Sequence, residues 1–254
     1  MNPYVYQPKL PQTVAKMTIP ATPLACDLPS IRHRLRQDTL LNALPDVAID
    51  QVLGRGQLLR VEAGQTVHSK QARSDHLYRL MSGMVRLSSA SAEGREAIYS
   101  YLGPDEWFGH IGLVDGGTRT HDIHACGPCL VFALGRSELQ RLLDHYPVLY
   151  RDFALLLCRQ MRVSFAMLED RSLMSLEGRL AKHLLALADA YGIDGPDGRL
   201  IDLPLPQEAL GQLLHASRQT INRKLAQWAR LGIIQVRYRR ILVVDRAQLA
   251  SLAG

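Results

Sequence analysis

The hydrophobic pattern of the chain changes near residue 136. Before that point, apolar residues occur in short runs interrupted by Gly, Pro and Asp, and the clearest are residues 58–61, 77–81, 84–87, 97–102 and 130–134. Several short strands at regular spacing are typical of an all-β sandwich or roll. After residue 136, apolar residues recur at helical spacing. The pattern predicts an α+β protein in which an antiparallel β-roll or jelly roll precedes a helical half.

Two short helices joined by a tight turn are predicted between residues 207 and 225. Their apolar faces are formed by Leu210, Leu213, Leu214, Ile221, Leu225 and Trp228. Gly211 allows the second helix to cross closely, and Ser217 can accept a hydrogen bond from the first free amides of that helix. Its outward N-terminal side then carries Arg218, Gln219, Asn222 and Arg223. A helix-turn-helix presents this end to base edges, so the segment predicts a DNA-reading module.

A longer helix is predicted to precede this module. Alternating steps of four and three separate Tyr150, Ala154, Leu157, Met161, Ser164 and Leu168. This spacing is the seam of a two-stranded coiled coil, although a helix packed on its own β-domain would also need an apolar face. Because the spacing holds over three heptads next to a helix-turn-helix, we favour a homodimer that reads two half-sites.

The remaining elements follow from local pattern. A helix is predicted at residues 176–191 after a break at 172–175, and a Gly-rich loop at 192–198 leads to the reading module. Residues 233–237 and 240–244 predict a hairpin wing. Its arginines are expected to contact phosphates, which position a protein without specifying sequence. They are Arg237, Arg239 and Arg240.

The basic charge is concentrated at one end of the chain. Residues 204–254 hold eight Lys and Arg against two acidic residues, whereas the other 203 residues hold 22 of each. This region therefore accounts for the whole net charge of +6. A solvated basic face without a partner would have the same composition. Because this charge lies on a helix-turn-helix, double-stranded DNA is the favoured partner.

Composition limits the class of protein. With 254 residues and 47% hydrophobic content, the chain can bury one large or two modest cores. No run of about 18 uncharged apolar residues is present, so no membrane span is expected. Residues 1–29 hold six of the 13 prolines and lack the apolar centre of a signal peptide. Four unevenly spaced cysteines fit a reducing compartment, and we expect a cytoplasmic protein.

Residues 45–250 resemble the Crp/Fnr family of bacterial transcription regulators. The matching segments, which occur in family order, are residues 61–65, 77–83, 108–113 and 217–220. The resemblance implies a cyclic-nucleotide-binding-type β-roll, a long dimerisation helix and a C-terminal winged helix. It also implies a dimer that senses a small molecule or redox state, and that activates or represses promoters, often by touching RNA polymerase. The implied division is an arm at 1–29, an effector domain at 30–146, a dimerisation helix at 147–172 and a DNA-binding domain at 173–254.

The resemblance also implies an effector cassette. Gly109, Ile111, Gly112, Leu113, Arg119 and Thr120 match the segment that holds the ligand in cyclic-nucleotide-binding members, where the Arg neutralises the cyclic phosphate. His110 stands where those members have a Glu that accepts from the ribose hydroxyl. A neutral imidazole accepts only one hydrogen bond and carries no negative charge. On the long helix, Ser164 and Phe165 replace a Thr–Ser pair that faces the adenine, so one hydroxyl is lost.

Two outcomes remain open for this cassette. In the first, a ligand binds and is an anion, because Arg119 remains to meet a phosphate. Cyclic AMP is not expected to bind with ordinary affinity, because the ribose acceptor at position 110 is absent. Alternatively, the pocket is vestigial and the dimer binds DNA without a ligand. The identity of the effector is therefore left unknown.

On the recognition helix, family members read half-sites through an Arg, a Glu and a second Arg. Arg218 and Arg223 match the two arginines, and each can bond guanine O6 and N7. Gln219 replaces the Glu, which changes the favoured base from cytosine to adenine. In the turn, His215 stands where Gly is usual, and His is among the residues that tolerate that conformation.

Other chemistry has weaker support. Oxygen-sensing members place several cysteines in the N-terminal segment, where this chain has only Cys26, so an iron–sulfur cluster is not expected. Cys126 and Cys129 have the spacing of thiol–disulfide oxidoreductases, but they flank an ordinary Gly-Pro turn. Two inert thiols are therefore the favoured interpretation. A redox-sensing dithiol is the next, and a redox enzyme is the least favoured.

Three histidines lie near the cassette, at His110, His121 and His124, and imidazoles can ligate metals and haem. A strand would place His121 and His124 on opposite faces, so surface or supporting roles are favoured over haem or metal binding.

No paired carboxylates, Ser/His/Asp set or phosphate loop is evident, so no catalytic function is expected. The sequence predicts a cytoplasmic, homodimeric, sequence-specific DNA-binding regulator of transcription. An alternative from another class is a stand-alone effector-binding or thiol-redox protein whose helical tail mediates assembly.

Overall fold

The computed structural model describes residues 28–91, 96–202, 205–237 and 240–253. Predictions that concern Cys26, Arg239 and the arm up to residue 27 lie outside these residues. The helices are α1 (Leu28–Arg36), α2 (Asp46–Arg55), α3 (Ile111–Val114), α4 (Arg136–His145), α5 (Val148–Leu173), α6 (Leu176–Tyr191), α7 (Gln207–Leu214), α8 (Arg218–Arg230) and α9 (Arg246–Leu252). The strands are β1 (Gln57–Val61), β2 (Thr66–His68), β3 (His76–Ser82), β4 (Val85–Ala90), β5 (Glu96–Leu102), β6 (Trp107–Phe108), β7 (Asp122–Ala125), β8 (Cys129–Gly135), β9 (Gly192–Gly195), β10 (Gly198–Ile201), β11 (Ile234–Arg237) and β12 (Arg240–Val243).

The predicted α+β fold with an N-terminal antiparallel β-roll is confirmed. Eight strands form two four-stranded sheets, with orders β1-β8-β3-β6 and β2-β7-β4-β5. In the first sheet, Leu77 of β3 pairs with Leu134 of β8, and both side chains are buried. All five predicted apolar runs overlap strands of the roll. Strands β2, β6 and β7 were not predicted, because each has only two to four residues and no sustained apolar run.

Helices α1 and α2 close one side of the roll and were not predicted from the sequence. Ile31, Leu35 and Ile49 pack in one hydrophobic cluster with residues of the β-domain and of α4. A buried polar contact fixes the connection between the two helices: Asp38 Oδ2 lies 3.0 Å from Arg79 Nη2 on β3. Trp107 Nε1 donates to the other oxygen of the same carboxylate at 2.9 Å. The Arg79 charge is therefore compensated inside the domain.

Helix α5 is 26 residues long and leaves the β-domain partway along its length. Leu149 and Phe153 near its start are buried in the hydrophobic cluster described above. Further along, large apolar side chains are exposed, including Met161 at 55%, Phe165 at 62% and Leu168 at 58%. The second half of α5 therefore presents an apolar surface that this protomer does not cover among its described residues.

The C-terminal domain is built around Trp228, whose side chain is fully buried. The loop predicted at residues 192–198 is wrong, because this segment forms the β9–β10 hairpin in a sheet of order β11-β12-β10-β9. The sequence was misleading because three glycines and a proline are typical of a loop. Here Gly198 has a φ of +134°, and a Cβ at that position would lie 2.2 Å from the Val243 carbonyl oxygen. Glycine is therefore needed at position 198, both for the turn and for the close contact with the neighbouring strand.

The two domains share apolar contacts. Met84, Tyr101 and Cys126 of the roll pack in the cluster that forms the C-terminal core, as does Tyr191 at the end of α6. A Cβ on Gly103 would lie 2.5 Å from the Tyr191 hydroxyl oxygen, so this side chain rests directly on the backbone of the roll. Within the described part of the chain, no helix has the length and hydrophobicity needed to cross a bilayer.

Candidate DNA-binding surface and effector cassette

The turn between α7 and α8 has the geometry that the sequence predicts. His215 adopts the left-handed conformation, with φ 53° and ψ 45°, at the end of α7. A Cβ on Gly211 would lie 2.6 Å from the Ala216 carbonyl oxygen, so only glycine lets the chain turn this closely. Ser217 Oγ accepts a hydrogen bond from the Thr220 amide at 3.1 Å and caps α8. The helix-turn-helix is thus fixed by local sequence at three positions.

The outer face of α8 carries the residues expected to read DNA. Its inner face, formed by Ile221, Leu225 and Trp228, is buried in the domain core. An open depression at the helix N-terminus is lined by Ser217, Arg218, Gln219 and Asn222. Arg223 is also exposed, and neither it nor Arg218 is paired with a carboxylate among the described residues. Two free guanidinium groups beside the positive end of a helix favour contact with nucleic acid.

Lys224, the third basic residue of this segment, points elsewhere. Its Nζ lies 2.8 Å from Glu177 Oε2 in the first turn of α6. The other oxygen of this carboxylate accepts a hydrogen bond from Trp228 Nε1 at 3.1 Å. Sequence reasoning did not single out Glu177, because 47 residues separate it from Lys224 and no local pattern links them.

The structure describes two of the three wing arginines that the sequence predicts to contact phosphates, Arg237 and Arg240. Arg237 on β11 is exposed and forms no ion pair with any described residue. Arg240 on β12 lies 2.8 Å from Asp202 Oδ1, so part of its charge is already compensated within the protein. Of the two wing arginines that the structure describes, Arg237 is therefore the better placed for a phosphate contact.

In the effector cassette, Arg119 is buried and partnered by the protein itself. Its two Nη atoms donate to the carbonyl oxygens of Gly109, at 2.5 Å, and His76, at 2.7 Å. Its guanidinium carbon lies 5.3 Å from the ring centre of Tyr78. Gly109 has a φ of +79°, and a Cβ there would lie 2.4 Å from Arg119 Nη1. The arginine that the resemblance places against a phosphate thus secures the backbone next to His110.

His110 joins the cassette to the long helix. Its side chain is buried, and Nε2 lies 2.9 Å from Gln160 Oε1 on α5. Burial lowers the pKa of His110, so the imidazole is neutral and Nε2 is the donor to the amide oxygen. Sequence reasoning missed Gln160, which lies four residues before Ser164 in α5.

The other cassette residues occupy different surroundings. Gly112 is buried against Ser74, whose Oγ would lie 2.2 Å from a Cβ at that position. Leu113 packs in the hydrophobic core, Ile111 is half-buried and Thr120 is exposed. On α5, Ser164 Oγ donates to the Gln160 carbonyl at 3.0 Å, while Phe165 is exposed. The family resemblance places Ser164 and Phe165 near the adenine of a bound cyclic nucleotide, but in this protomer both side chains lie on the solvent side of α5.

The thiols of the Cys126–Cys129 turn are poorly suited to redox chemistry. Cys129 is buried and its Sγ donates to the Met84 carbonyl at 3.2 Å. Burial raises the pKa of Cys126 to about 11, so little thiolate is present near neutral pH. Because thiolate is the reactive form, this arrangement favours inert cysteines. Among the described residues, no group of three or more His, Cys, Asp or Glu is placed so that it could hold a metal ion.

Comparison with known proteins links both regions to characterised domains. Residues 58–146 match the model of the cyclic nucleotide-binding domain, and residues 178–252 match that of the Crp-like helix-turn-helix domain. A CRP-like cAMP-activated global transcriptional regulator of Mycobacterium tuberculosis is 30% identical over 190 residues, which cover 75% of this chain and 85% of that protein. The global nitrogen regulator of Synechococcus elongatus is 26% identical over 197 residues, which cover 77% and 89%.

Solved structures show the same architecture. A CRP-family transcriptional regulator from Thermus thermophilus superposes with a TM-score of 0.66 at 27% identity, over 77% of this chain and 96% of that one. The c-di-GMP-responsive global regulator CLP of Xanthomonas campestris superposes with a TM-score of 0.69, over 78% and 99%. At 19% identity, the likeness to CLP concerns the fold alone. All four of these proteins are named as regulators.

Proposed function

The chain belongs to the Crp/Fnr family of transcription regulators, and on this premise we propose that it binds a two-fold symmetric operator as a homodimer. The observation that carries the proposal is the outer face of α8. Arg218 and Arg223 are exposed and unpaired there among the described residues, while the opposite face of the same helix is locked in the core. A helix fixed on one side and cationic on the other can enter the major groove without rearrangement.

Dimerisation is proposed to occur through α5. The seam positions Tyr150, Met161 and Leu168 are all at least half exposed in the protomer. Three large apolar side chains aligned along one helix lose contact with water when a second copy packs against them in parallel. A two-fold axis along α5 would present two copies of α8 to half-sites about one DNA turn apart.

The proposed place of action is the cytoplasm, where promoter DNA and RNA polymerase are found. Contact with RNA polymerase is part of the proposal, and it follows from the family resemblance.

The proposed effector response departs from that of the cAMP-activated relative. Cyclic AMP requires a phosphate partner and a ribose acceptor, and this chain has only the first, at Arg119. Two of the N–H groups of Arg119 already donate to the Gly109 and His76 carbonyls, so a ligand phosphate would share this guanidinium with the backbone. We therefore propose that any effector is an anion other than cyclic AMP, or that the dimer binds DNA without one.

The test is footprinting of the purified protein on the region upstream of its own gene, with random DNA as competitor. Protection of a two-fold symmetric site is expected for the wild type and should be lost in the double variant Arg218→Ala/Arg223→Ala. Arg60→Ala is the matched control, because Arg60 is an exposed arginine of β1 that lies outside the helix-turn-helix. A dimer with no preference for any DNA over random competitor, with and without cyclic nucleotides, would instead support the effector-binding or redox alternative.

A further inference from the structure

The junction between α5 and α6 is held by polar contacts on both sides of a two-residue break. Ser175 Oγ accepts from the Gly178 amide at 3.0 Å and caps α6. Lys182 Nζ on α6 lies 2.6 Å from Asp170 Oδ2 near the end of α5. Arg179 Nη1 donates to the Met174 carbonyl at 2.9 Å. The start of α6 therefore has a defined orientation relative to the end of the proposed dimerisation helix.

Glu177, in the first turn of α6, contacts two successive turns of α8. Its Oε2 lies 2.8 Å from Lys224 Nζ, and its Oε1 accepts from Trp228 Nε1 at 3.1 Å. Lys224 and Trp228 are four residues apart, so both point from the same face of α8. A carboxylate that uses each oxygen for a different turn resists both rotation and sliding of the helix, whereas a single contact resists neither well.

We propose that Glu177 is a positioning residue for DNA reading, which sets the orientation of α8 relative to α5, and that Lys224 serves this contact instead of binding a phosphate. The proposal rests on the proposed DNA-binding function and adds a residue outside the helix-turn-helix. Its physical basis is that base readout needs side chains held within about 0.5 Å of their productive positions. Arg223, which is expected to reach a base edge, directly precedes Lys224, so a rotation of α8 that breaks the Glu177 contact also displaces Arg223.

The surroundings of Lys224 disfavour a phosphate contact, although the residue lies on a basic helix. Its side chain is three-quarters covered, and its charge is compensated by Glu177 in the same region. A phosphate contact that drew Lys224 away from Glu177 would leave this carboxylate without its cation beside Trp228. The hydrogen bond with Lys224 also lowers the pKa of Glu177, so the carboxylate is charged at neutral pH and the contact is complete there.

The test compares affinity for the operator with affinity for random DNA across a salt series. Glu177→Ala is expected to lower operator affinity about tenfold, the size of one charge-assisted hydrogen bond, while random-DNA affinity does not fall. Glu177→Gln keeps an acceptor for Trp228 and should recover part of the loss. Glu208→Ala, an exposed acidic residue of α7, is the matched control: it removes the same charge and should leave the ratio of the two affinities unchanged.

Lys224→Met separates positioning from phosphate binding. The salt dependence of its operator affinity should equal that of the wild type, because no phosphate contact is lost. The proposal would be overturned if the slope of log affinity against log salt concentration fell by about 0.9, the value for one phosphate contact, since Lys224 would then bind DNA. Circular dichroism and the Trp228 indole proton resonance check that the variants fold and that the contact is broken.

Failure of this inference differs from failure of the proposed function. A wild type that prefers its operator, together with a Glu177→Ala variant of unchanged affinity ratio, would overturn only the positioning role. A wild type without any operator preference would overturn both.

Discussion

His110 in the effector cassette is hydrogen-bonded to Gln160 of α5, with 2.9 Å between Nε2 and Oε1. The position that the family resemblance gives to a ligand-binding carboxylate is therefore linked directly to the proposed dimerisation helix. Arg119 holds the same segment, because it donates to the carbonyl of Gly109, the residue before His110. The cassette is thus joined to α5 by the protein's own side chains, in a place where cyclic-nucleotide-binding relatives are expected to use a ligand.

The first prediction concerns cyclic nucleotides. Calorimetry of the wild type with cyclic AMP or cyclic GMP should show no tight binding, since His110 offers no charged acceptor to a ribose hydroxyl. His110→Glu restores that acceptor and should gain binding of cyclic AMP. His121→Glu, which adds the same charge next to the cassette, is the control and should gain none. Tight binding of cyclic AMP by the wild type would contradict the prediction.

The second prediction tests the dimer. Met161→Glu should yield monomers in sedimentation experiments, because a carboxylate at the seam would be buried against its symmetry mate. Met161 is exposed in the protomer, so the folded monomer should survive the change. Val163→Glu is the matched control: Val163 has 59% exposure on the same helix but lies outside the seam, and this variant should remain a dimer. Dimeric Met161→Glu would move the interface away from α5.

The sequence predicted the elements whose signal is local. The α7–α8 pair, with Gly211, His215 and Ser217 at its turn, depends on capping and backbone conformation that a few neighbouring residues determine. The long helix was predicted from its periodicity, and five of the eight strands of the roll from their short apolar runs, which are also local signals. The β9–β10 hairpin was misread, since glycines that serve a close strand contact at Gly198 have the composition of a loop.

Contacts between distant residues could not be predicted. Asp38 and Arg79, Glu177 and Lys224, and His110 and Gln160 each join elements that are far apart in the chain. No periodicity or spacing rule relates such pairs, because only the tertiary packing brings them together. The effect on function is direct: Lys224 and Arg240 were counted among the cations of the basic end, but each is paired with a carboxylate in the fold.

The third prediction separates reading from positioning on DNA. Arg218→Ala should cost about 1–3 kcal/mol at one base pair and relax specificity there, because a bidentate contact to guanine is lost. Arg237→Ala should weaken binding to all sequences alike. It should also reduce the slope of log affinity against log salt concentration by about 0.9, the value for one phosphate contact. Binding to a panel of single-base operator variants at several salt concentrations measures both effects. The proposed docking orientation would be wrong if Arg237→Ala changed base preference while Arg218→Ala left it unaltered.

The last prediction concerns stability at low pH. His68 stacks on Tyr78 with 5.9 Å between ring centres, and burial lowers its pKa to about 3 in the folded protein. In the unfolded chain its pKa is near the ordinary value of about 6.5. Between these values the unfolded state binds the extra proton, so the free energy of unfolding falls as pH decreases through this window. For one such group the slope approaches about 1.4 kcal/mol per pH unit.

His68→Phe keeps a ring of similar shape between Tyr78 and Phe108 but removes the titrating group. Urea unfolding at pH 7 and at pH 5 should therefore show a smaller loss of stability for the variant than for the wild type. The slope should not vanish, because burial also lowers the pKa of His183, to about 4, and the variant retains this residue. Equal pH slopes for the two proteins would mean that His68 is not held neutral by the fold.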